Sequence, residues 1–370
     1  MSKLILPGLI DPHVHLRDPG QTQKEDFYTG TSAALAGGYT TIIDMPNNKV
    51  PITTLERLEE KIAEAKDKIV CDVGFYFGSL GDNLAEFKKV KGKVLGLKLY
   101  LNQTTGNFLL DPNRLKDLFS RWKSTQSIAL HSSILSANFV TPILVHAEGK
   151  SVEDVINIVQ KVKTPTHFCH ISTKNDLALI LQAKEERLPI TCGVTPHHLF
   201  LTEDDEKILG LFGKMKPPLR NKKDVEFLWE NLGAIDVVES DHAPHTKEEK
   251  ESGTPPFGVP GLETTLPLLL TAASENRLTI EDIIRLCHTN PAKIFGIPTD
   301  QNTKVEVDLN TKYIIHNTNL HTKCGWSPFN GYKAKGKVEK VFIRNVLVFD
   351  DGKILAKPGS GSLRLGRGRS

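Results

Sequence analysis

Short apolar runs recur along the first two thirds of the chain, and segments with helical periodicity separate most of them. A run of four to eight apolar residues is typical of a buried strand, whereas apolar positions three and four apart are typical of a helix. The predicted strands are residues 9–16, 40–45, 69–77, 94–101, 142–147, 166–171, 190–195 and 234–239. The predicted helices include residues 25–36, 55–65, 115–122, 152–162 and 176–186. Strands that alternate with helices in this way predict an α/β fold, a parallel (β/α)8 TIM barrel.

The last third of the chain has a different pattern. Residues 261–276, 279–287 and 291–295 are predicted as helices, and residues 304–307, 312–315 and 337–348 as strands. The pair Asp351-Gly352 is a hairpin signal. We therefore expect the barrel over residues 7–300 and a small β appendage over residues 301–356 that also includes residues 1–6. The tail, residues 357–370, is rich in Gly, Ser and Arg, and we expect it to be disordered.

Composition narrows the class of partner. The chain has 370 residues, a length at which a barrel is still one domain, with 47 Lys+Arg against 44 Asp+Glu. This balance does not indicate a protein that binds nucleic acid or a membrane surface, so a small-molecule substrate is expected. No charged and then apolar leader precedes Pro7, and no apolar run approaches the roughly 18 residues of a membrane span. Five scattered cysteines favour reduced thiols and a cytoplasmic location.

Two histidines stand at the end of the first predicted strand. His13 and His15 alternate with Val14 and Leu16. Because successive side chains of a strand point to opposite faces, both imidazoles share one face. Imidazole nitrogen is a good zinc ligand. Two such histidines are equally compatible with an ordinary surface, so a metal site depends on ligands from other strands.

Such ligands follow at the ends of four further strands. The fourth strand contains Lys98 among apolar neighbours, the fifth ends at His146, the sixth at His170 and the eighth at Asp241. In a barrel the carboxyl ends of all strands meet at one face, so these side chains are predicted to converge. A buried lysine is costly unless it is paired or uncharged. Lys98 is therefore either part of an ion pair or a chemically modified metal ligand.

Six candidate ligands predict a reaction class. They are too many for one tetrahedral zinc with an open position, but they suit two metals that share ligands. A metal pair about 3.5–4 Å apart can activate a bridging hydroxide and polarise a carbonyl. Asp241 is the candidate general base, which would accept a proton from the nucleophile and pass it to the leaving nitrogen. The sequence thus predicts metal-assisted hydrolysis of an amide bond, or its reverse.

These motifs resemble those of the amidohydrolase superfamily, and more narrowly the dihydroorotases of the form fused into the animal pyrimidine-synthesis polyprotein. The resemblance extends from residue 7 to about residue 355. Its most specific pieces are PGLIDPHVHLRDPG, DMPNN, LKLYLN, TPHHLFL, SDHAPHTKEEK, FGVPGLET and WSPFNGYKAKGKV. It implies a zinc enzyme that reversibly cyclises N-carbamoyl-L-aspartate to L-dihydroorotate in UMP biosynthesis.

The resemblance also implies roles for individual residues. One zinc ion would be held by His13, His15 and Asp241, and the other by His146 and His170. Lys98 would carry a carboxyl group added from carbon dioxide, and this carbamate would bridge the metals. In the family Arg17, Asn47 and His245 hold the substrate carboxylate. The implied substrate-binding residues are His15, Arg17, Asn47, Thr104, His245, Phe257 and Gly258. Thr104 would lie in a mobile lid over residues 102–109.

Three positions depart from the animal form. That form uses the cysteine at position 169 and a glutamate on its seventh strand for an extra metal, and this chain keeps Cys169 but has Gly193 in place of the glutamate. A third metal is therefore not expected. Thr105 replaces a phenylalanine of the lid. Lys216 stands where relatives use Arg or Asn near the substrate. Its ammonium group could contact a substrate carboxylate or be exposed to solvent, and both alternatives stay open. No role is assigned to the nearby Arg220.

Other functions share part of this pattern. A hydantoinase, dihydropyrimidinase or allantoinase would have the same metal ligands but no need for a carboxylate site. A non-catalytic scaffold relative would typically have lost metal ligands, whereas here all six are present. Relatives are often homodimers, and some bind aspartate transcarbamoylase, so both associations are hypotheses that rest on the resemblance.

Overall fold

The structure is a computed structural model that describes residues 3–104, 106, 108–126 and 140–366. Its strands are β1 (Lys3–Pro7), β2 (Leu9–Val14), β3 (Tyr39–Asp44), β4 (Asp72–Phe75), β5 (Phe77–Gly78), β6 (Leu97–Tyr100), β7 (Ile143–His146), β8 (Thr166–Phe168), β9 (Ile190–Val194), β10 (Val237–Val238), β11 (Lys304–Ile314), β12 (Lys333–Ile343), β13 (Val346–Asp350), β14 (Lys353–Ile354) and β15 (Leu363–Arg364). Its helices are α1 (Phe27–Ala36), α2 (Leu55–Lys66), α3 (Glu86–Lys89), α4 (Leu115–Gln126), α5 (Lys150–Val162), α6 (Lys174–Glu185), α7 (Pro196–Phe200), α8 (Glu203–Leu209), α9 (Lys222–Glu230), α10 (Lys247–Lys250), α11 (Leu262–Ser274), α12 (Ile280–Ile284) and α13 (Asn290–Phe295).

The strands from β2 to β10 form the predicted barrel, which is confirmed. They are hydrogen-bonded in parallel in two sheets, with the orders β4-β3-β2 and β10-β9-β8-β7-β6-β5. Only Tyr76 separates β4 from β5, so the two pieces make one barrel strand. A parallel bridge between Val14 and His242 joins the first strand to the end of the eighth. Eight strands thus close on themselves and bring the ends of the first and last strands side by side.

Burial explains why the barrel strands could be recognised as apolar runs. Every residue of β2, β3, β4, β6 and β7 is buried, because helices cover the outside of a parallel barrel. Side-chain caps fix where several of the covering helices begin. Asp26, Thr54 and Thr173 each accept a hydrogen bond from a backbone N–H in the first turn of α1, α2 and α6.

The appendage is a five-stranded antiparallel sheet with the order β1-β11-β12-β13-β14. Residues 304–307 and 312–315 are predicted as two strands, but the single strand β11 runs through both segments and ends at Ile314. Residues 337–348, predicted as one strand, are divided by a turn at Arg344 and Asn345, whose φ angles are 52° and 64°. Positive φ at both central residues is the geometry of a tight hairpin turn. The predicted turn at Asp351-Gly352 lies between β13 and β14, and β1 joins the sheet as expected.

The tail was predicted to be disordered, but its residues 357–366 pack against the barrel. Leu363 and Arg364 pair in parallel with Val73 and Gly74 of β4. A Cβ atom on Gly361 would lie 2.1 Å from the Cys71 carbonyl oxygen. The glycines that suggested disorder therefore allow a close backbone approach, which a composition argument does not distinguish from flexibility. Residues 367–370 lie outside the described part.

Asp72 fastens this tail and the appendage to the barrel. Its carboxylate pairs with Arg364, accepts two hydrogen bonds from Arg344 at 2.8 and 3.1 Å, and accepts one from the Ser362 backbone N–H at 2.8 Å. The Asp72 side chain is only 3% exposed. One carboxylate thus joins three separate segments of the chain.

We expect Asp72→Ala to lower the free energy of unfolding by about 1–3 kcal/mol, because two arginines and an amide lose their acceptor. The arginine side chains are 39% and 25% exposed, so water offsets part of the loss. Urea unfolding would measure it. Asp204→Ala is the matched control, because its ion pair with Lys207 lies at the surface and should contribute nothing measurable. Equal stability of both variants would contradict the role of Asp72.

Two further observations bear on the chain as a whole. Within the described residues, none of the helices combines the length and apolarity that crossing a bilayer requires. All five cysteines are buried free thiols, as predicted: Cys71, Cys169, Cys192, Cys287 and Cys324.

Candidate metal centre and active site

The ends of the first and eighth barrel strands bring three candidate ligands together. His13 and His15 alternate at the end of β2, and Asp241 follows β10. The Asp241 Oδ1 atom lies 3.3 Å from His13 Nε2 and 3.1 Å from His15 Nε2. Ligand atoms of all three residues lie within 4.8 Å of one another, and each side chain is largely buried. The alternation predicted from HxH therefore does place both imidazoles on one carboxylate.

The fifth and sixth strands supply a second group. His146 ends β7 and His170 follows β8, and the Nδ1 atom of the first lies 3.0 Å from the Nε2 atom of the second. The His170 ring centroid is 5.1 Å from that of His13. The two groups are thus adjacent at one end of the barrel, where the structure brings together five of the six predicted metal ligands.

Lys98, the sixth, lies on β6 with no exposed surface. Its Nζ donates to Cys169 Sγ at 3.0 Å and lies 5.0 Å from the centre of the Tyr100 ring. Among the described residues no carboxylate oxygen pairs with it within 4.0 Å. Lys61, which is equally buried, pairs with Asp44 at 2.7 Å. Of the two explanations for a buried lysine, an ion pair is therefore not observed.

On the nitrogen that faces away from the cluster, His15 has a hydrogen-bond partner, whereas His13 and His146 each face a carboxylate without a hydrogen bond of good geometry. His15 Nδ1 donates to Asn47 Oδ1 at 2.7 Å. His13 Nδ1 lies 3.3 Å from a Glu239 oxygen, and His146 Nε2 lies 3.4 Å from a Glu148 oxygen. A partner that holds the proton on one nitrogen leaves the lone pair of the other nitrogen directed into the cluster, which is the arrangement found around metal-bound histidines.

Burial keeps these imidazoles neutral. It lowers the pKa of His13 to about 4, an effect that the charge of Lys98 adds to, and it lowers the pKa of His146 and His170 as well. Burial raises the pKa of Asp241, although the charges of His13 and Lys98 oppose this. A neutral imidazole is the form that binds a metal. The donor set therefore fits a metal centre in its protonation as well as in its geometry.

The backbone at this site is strained. Arg17, His170 and Asp241 have φ angles of 64°, 38° and 44°, in the left-handed region that side chains with a Cβ rarely adopt. Such conformations cost on the order of 1–3 kcal/mol each and are found where function requires a particular side-chain direction.

A cationic group borders the histidine cluster. Arg17 is 6% exposed, and its Nε donates to the Pro244 carbonyl at 3.1 Å. Its Nη2 lies 3.1 Å from His245 Nε2, and Lys24 Nζ lies 3.2 Å from His245 Nδ1. In the described part of the chain, no Asp or Glu oxygen lies within 4.0 Å of the Arg17 guanidinium. This buried arginine thus has no anionic partner of its own.

The other predicted substrate residues line the same cavity, as do Tyr100, Lys216 and Ala243. These predicted residues are Asn47, Thr104, Phe257 and Gly258. The Gly258 N–H already donates to the Lys214 carbonyl, and the Gly258 carbonyl already accepts from Lys250 Nζ at 3.2 Å. Lys216 Nζ lies 5.4 Å from the centre of the Phe257 ring. Thr105 of the predicted lid lies outside the described residues.

Comparison with known proteins assigns the family. The pattern of the amidohydrolase family matches residues 4–355. The chain is 40% identical over 368 residues to a dihydroorotase of Pyrococcus furiosus, a match that covers 96% of this chain and 84% of that protein. The chain belongs to the amidohydrolase family, and within it to the dihydroorotases.

The chain is also similar to a multifunctional protein in sequence and to a hydantoinase in structure. The multifunctional protein CAD of Squalus acanthias is 44% identical over 364 residues, which are 97% of this chain but 16% of that protein. The chain thus spans about one sixth of the multifunctional relative. The structure of an L-hydantoinase (dihydropyrimidinase) from Arthrobacter aurescens has a TM-score of 0.90 at 26% identity, covering 99% of this chain and 89% of that one.

In this dihydroorotase-family chain, sequence reasoning missed Glu239. Its carboxylate is fully buried beside His13, and the combination His13, Cys169 and Glu239 also brings ligand atoms within 4.8 Å. The signal was present, because Glu239 and Asp241 alternate as His13 and His15 do and therefore share a face.

Several other residues have structural roles. His242 points away from the metal ligands, with Nε2 3.2 Å from Glu25 and Nδ1 accepting from the Gly261 N–H at 3.2 Å. His198 forms hydrogen bonds with the Thr195 hydroxyl and the Pro217 carbonyl, which hold the segment after β9 in place. Arg220 pairs with Glu148 at 2.9 Å. It therefore holds the carboxylate that faces His146.

The appendage also reaches the site. Trp326 Nε1 donates to the His245 carbonyl at 2.7 Å. The buried Glu25 carboxylate faces His242 and accepts from the Thr322 hydroxyl and, at 3.1 Å, from the Lys323 N–H. The loop between β11 and β12 thus supports the segment after β10 that contains Asp241 and His245.

Proposed function

We propose that this chain is a dihydroorotase that reversibly cyclises N-carbamoyl-L-aspartate to L-dihydroorotate in pyrimidine biosynthesis. The observation that supports this choice is the buried, anion-free guanidinium of Arg17 beside the histidine cluster. Arginine forms a forked pair of hydrogen bonds with a carboxylate, and a buried guanidinium without an anion is otherwise costly. A substrate that bears a carboxylate next to the reacting amide would satisfy it.

We infer that the cluster holds two zinc ions, with His13, His15 and Asp241 at one and His146 and His170 at the other. Lys98 as a carbamate would be an anion between two cations, which would explain a buried lysine without a carboxylate partner. When bound, the metals would activate water and polarise the amide carbonyl. Several ring nitrogens at the site have no hydrogen-bond partner among the described residues, including His170 Nδ1. Such a donor set is compatible with metal binding.

The proposal assigns substrate binding and proton transfer to different residues of the chain. Arg17, Asn47 and His245 would hold the substrate carboxylate, and Thr104, Phe257 and Gly258 would border the pyrimidine ring. His245 suits this role as a neutral group, because burial and the charge of Arg17 lower its pKa to about 3. Asp241 would accept the proton of the attacking water in the hydrolytic direction and pass it to the leaving nitrogen.

The second candidate is a hydantoinase or dihydropyrimidinase, which the structural similarity to the Arthrobacter enzyme favours. Such an enzyme would share every proposed metal ligand. Assays of carbamoyl aspartate, dihydroorotate, hydantoin and allantoin side by side would test the choice. Turnover of hydantoin or allantoin without turnover of the carboxylate substrates would overturn it.

We expect Arg17→Met to raise KM for dihydroorotate about 10²-fold or more, because a charge-assisted pair with the carboxylate is lost. Zinc content should stay at the wild-type value, since Arg17 holds no metal in this proposal. Steady-state kinetics with metal analysis would measure both. An unchanged KM would show that the carboxylate binds elsewhere.

The compartment and partners are also proposals. Five free buried thiols support a reducing compartment, for which we propose the cytoplasm. Similarity to a multifunctional pyrimidine-pathway protein supports association with an aspartate transcarbamoylase, and a homodimer is the other proposed assembly. Sedimentation of the chain alone and with that partner would test both.

A further inference from the structure

We propose that Glu239 is a positioning residue that orients His13 for metal binding, and that Gly193 makes room for its side chain. This inference rests on the metal centre proposed above, but not on the identity of the substrate. It concerns a carboxylate that comes from the eighth strand and is placed over a glycine of the seventh.

The contacts of Glu239 support a positioning role. Its Oε2 atom lies 3.3 Å from His13 Nδ1 and 3.5 Å from His167 Nε2, and Oε1 accepts a short hydrogen bond from the His170 backbone N–H. The carboxylate is fully buried. It therefore joins the first strand to the sixth, directly beneath one proposed ligand from each metal position.

This contact would set the tautomer of His13. If Nδ1 holds its proton toward Glu239, Nε2 presents its lone pair to the side where Asp241 lies 3.3 Å away. A carboxylate on the remote nitrogen holds the ring in that tautomer and makes the other nitrogen a stronger ligand. Asn47 does the same for His15 through Nδ1. Glu239 would therefore complete the orientation of the HxH pair.

Gly193 explains how a glutamate fits here. Positions 193 and 237 are paired across β9 and β10, so Glu239 follows on the neighbouring strand. A Cβ atom at position 193 would lie 2.7 Å from both Cδ and Oε1 of Glu239. Any larger residue would therefore displace the carboxylate. Because the two side chains would occupy the same space, we predict that a carboxylate at position 193 could replace the one at position 239. Both carboxylates could not be accommodated together.

The same atoms could instead hold an ion with Cys169, and the chemistry disfavours this. A metal on His13 Nδ1 would require an imidazole that has lost both ring protons. The Cys169 sulfur already accepts a hydrogen bond from Lys98 Nζ at 3.0 Å. Oε1 of Glu239 is occupied by the His170 N–H. The Cys169 sulfur and Glu239 Oε1 thus already have hydrogen-bond partners, whereas His13 Nδ1 and Glu239 Oε2 form no hydrogen bond of good geometry in the described part of the chain and face each other at 3.3 Å.

Four variants test the inference: Glu239→Gln, Glu239→Ala, Gly193→Glu and the double variant Gly193→Glu/Glu239→Ala. Zinc affinity would be measured by competition with a chromophoric chelator, and zinc per chain by elemental analysis of the protein. Glu239→Ala should raise the dissociation constant of the zinc ion that competes best with the chelator about 10–100-fold. Glu239→Gln should retain part of this affinity, because its amide oxygen can still accept from His13.

Thermal unfolding of the metal-free variants provides a readout that does not depend on activity. Gly193→Glu alone should lower the melting temperature more than either Glu239 variant, because two side chains would compete for one space. The double variant should recover both melting temperature and zinc affinity relative to Gly193→Glu. Asp72→Asn is the control, since it alters a buried carboxylate outside the cluster and should leave zinc affinity unchanged.

Each outcome decides the inference. Wild-type zinc affinity in Glu239→Ala, or failure of the double variant to improve on Gly193→Glu, would overturn it. Three zinc ions per wild-type chain, with one lost in Glu239→Ala, would make Glu239 a metal ligand instead. Wild-type protein that binds no zinc would refute the metal centre as well, whereas bound zinc without dihydroorotate turnover would contradict only the proposed function.

Discussion

Replacing Lys98 with alanine is expected to lower kcat by about 10³-fold or more and to reduce zinc below two ions per chain. The proposed carbamate would help to hold both metals, and the electrostatic contribution of a metal pair is several kcal/mol. The fold should survive, because the substitution removes a buried cation that has no carboxylate partner among the described residues. Zinc analysis, kinetics and circular dichroism would measure the three effects.

Carbon dioxide provides the sharper test of this residue. Metal-free wild-type protein reloaded with zinc in carbonate-free buffer should stay largely inactive until bicarbonate is added. Lys98→Ala should not respond to bicarbonate, but a small carboxylic acid such as acetate should restore part of its activity by filling the vacated space. Lys61→Met is the matched control, because this equally buried lysine already has Asp44. It should lose stability and keep its bicarbonate response. Full activity in carbonate-free buffer would exclude the carbamate.

Asp241→Asn is expected to lower kcat about 10²–10⁴-fold, the usual contribution of a general base. Asparagine keeps an oxygen in place but cannot accept the proton. Asp241→Ala removes the oxygen as well, so it should also lose zinc affinity, which the asparagine variant should largely keep. Comparison of the two variants separates the ligand role from the proton-transfer role. An asparagine variant with wild-type kcat would exclude Asp241 as the base.

Much of this site could be predicted from the sequence because barrel topology does the assembling. His13, His146, His170 and Asp241 are far apart in the chain, but each follows an apolar run. Once the runs are recognised as parallel strands of one barrel, their ends must meet. The alternation of His13 with His15 then sets their common face. Local pattern and one topological rule were sufficient for these residues.

Other features depend on contacts that no local pattern contains. Gly361 is required where the tail crosses the Cys71 carbonyl, and composition alone made the same glycine a sign of disorder. Glu239 follows an apolar pair and was taken as the end of a strand, although its partner is the ring of His13, more than two hundred residues away. Gly193 was interpreted as the loss of a carboxylate. Only the neighbouring strand shows that another glutamate occupies its space.

The contact between Trp326 and His245 has a consequence for dissecting the molecule. The barrel by itself, cut after residue 300, would lack the indole that anchors the His245 carbonyl and the two donors that face Glu25. The segment after β10 would lose this support, although every proposed zinc ligand would remain. Anyone who grafts this active site onto another barrel should therefore transplant the loop around Trp326 together with the histidines.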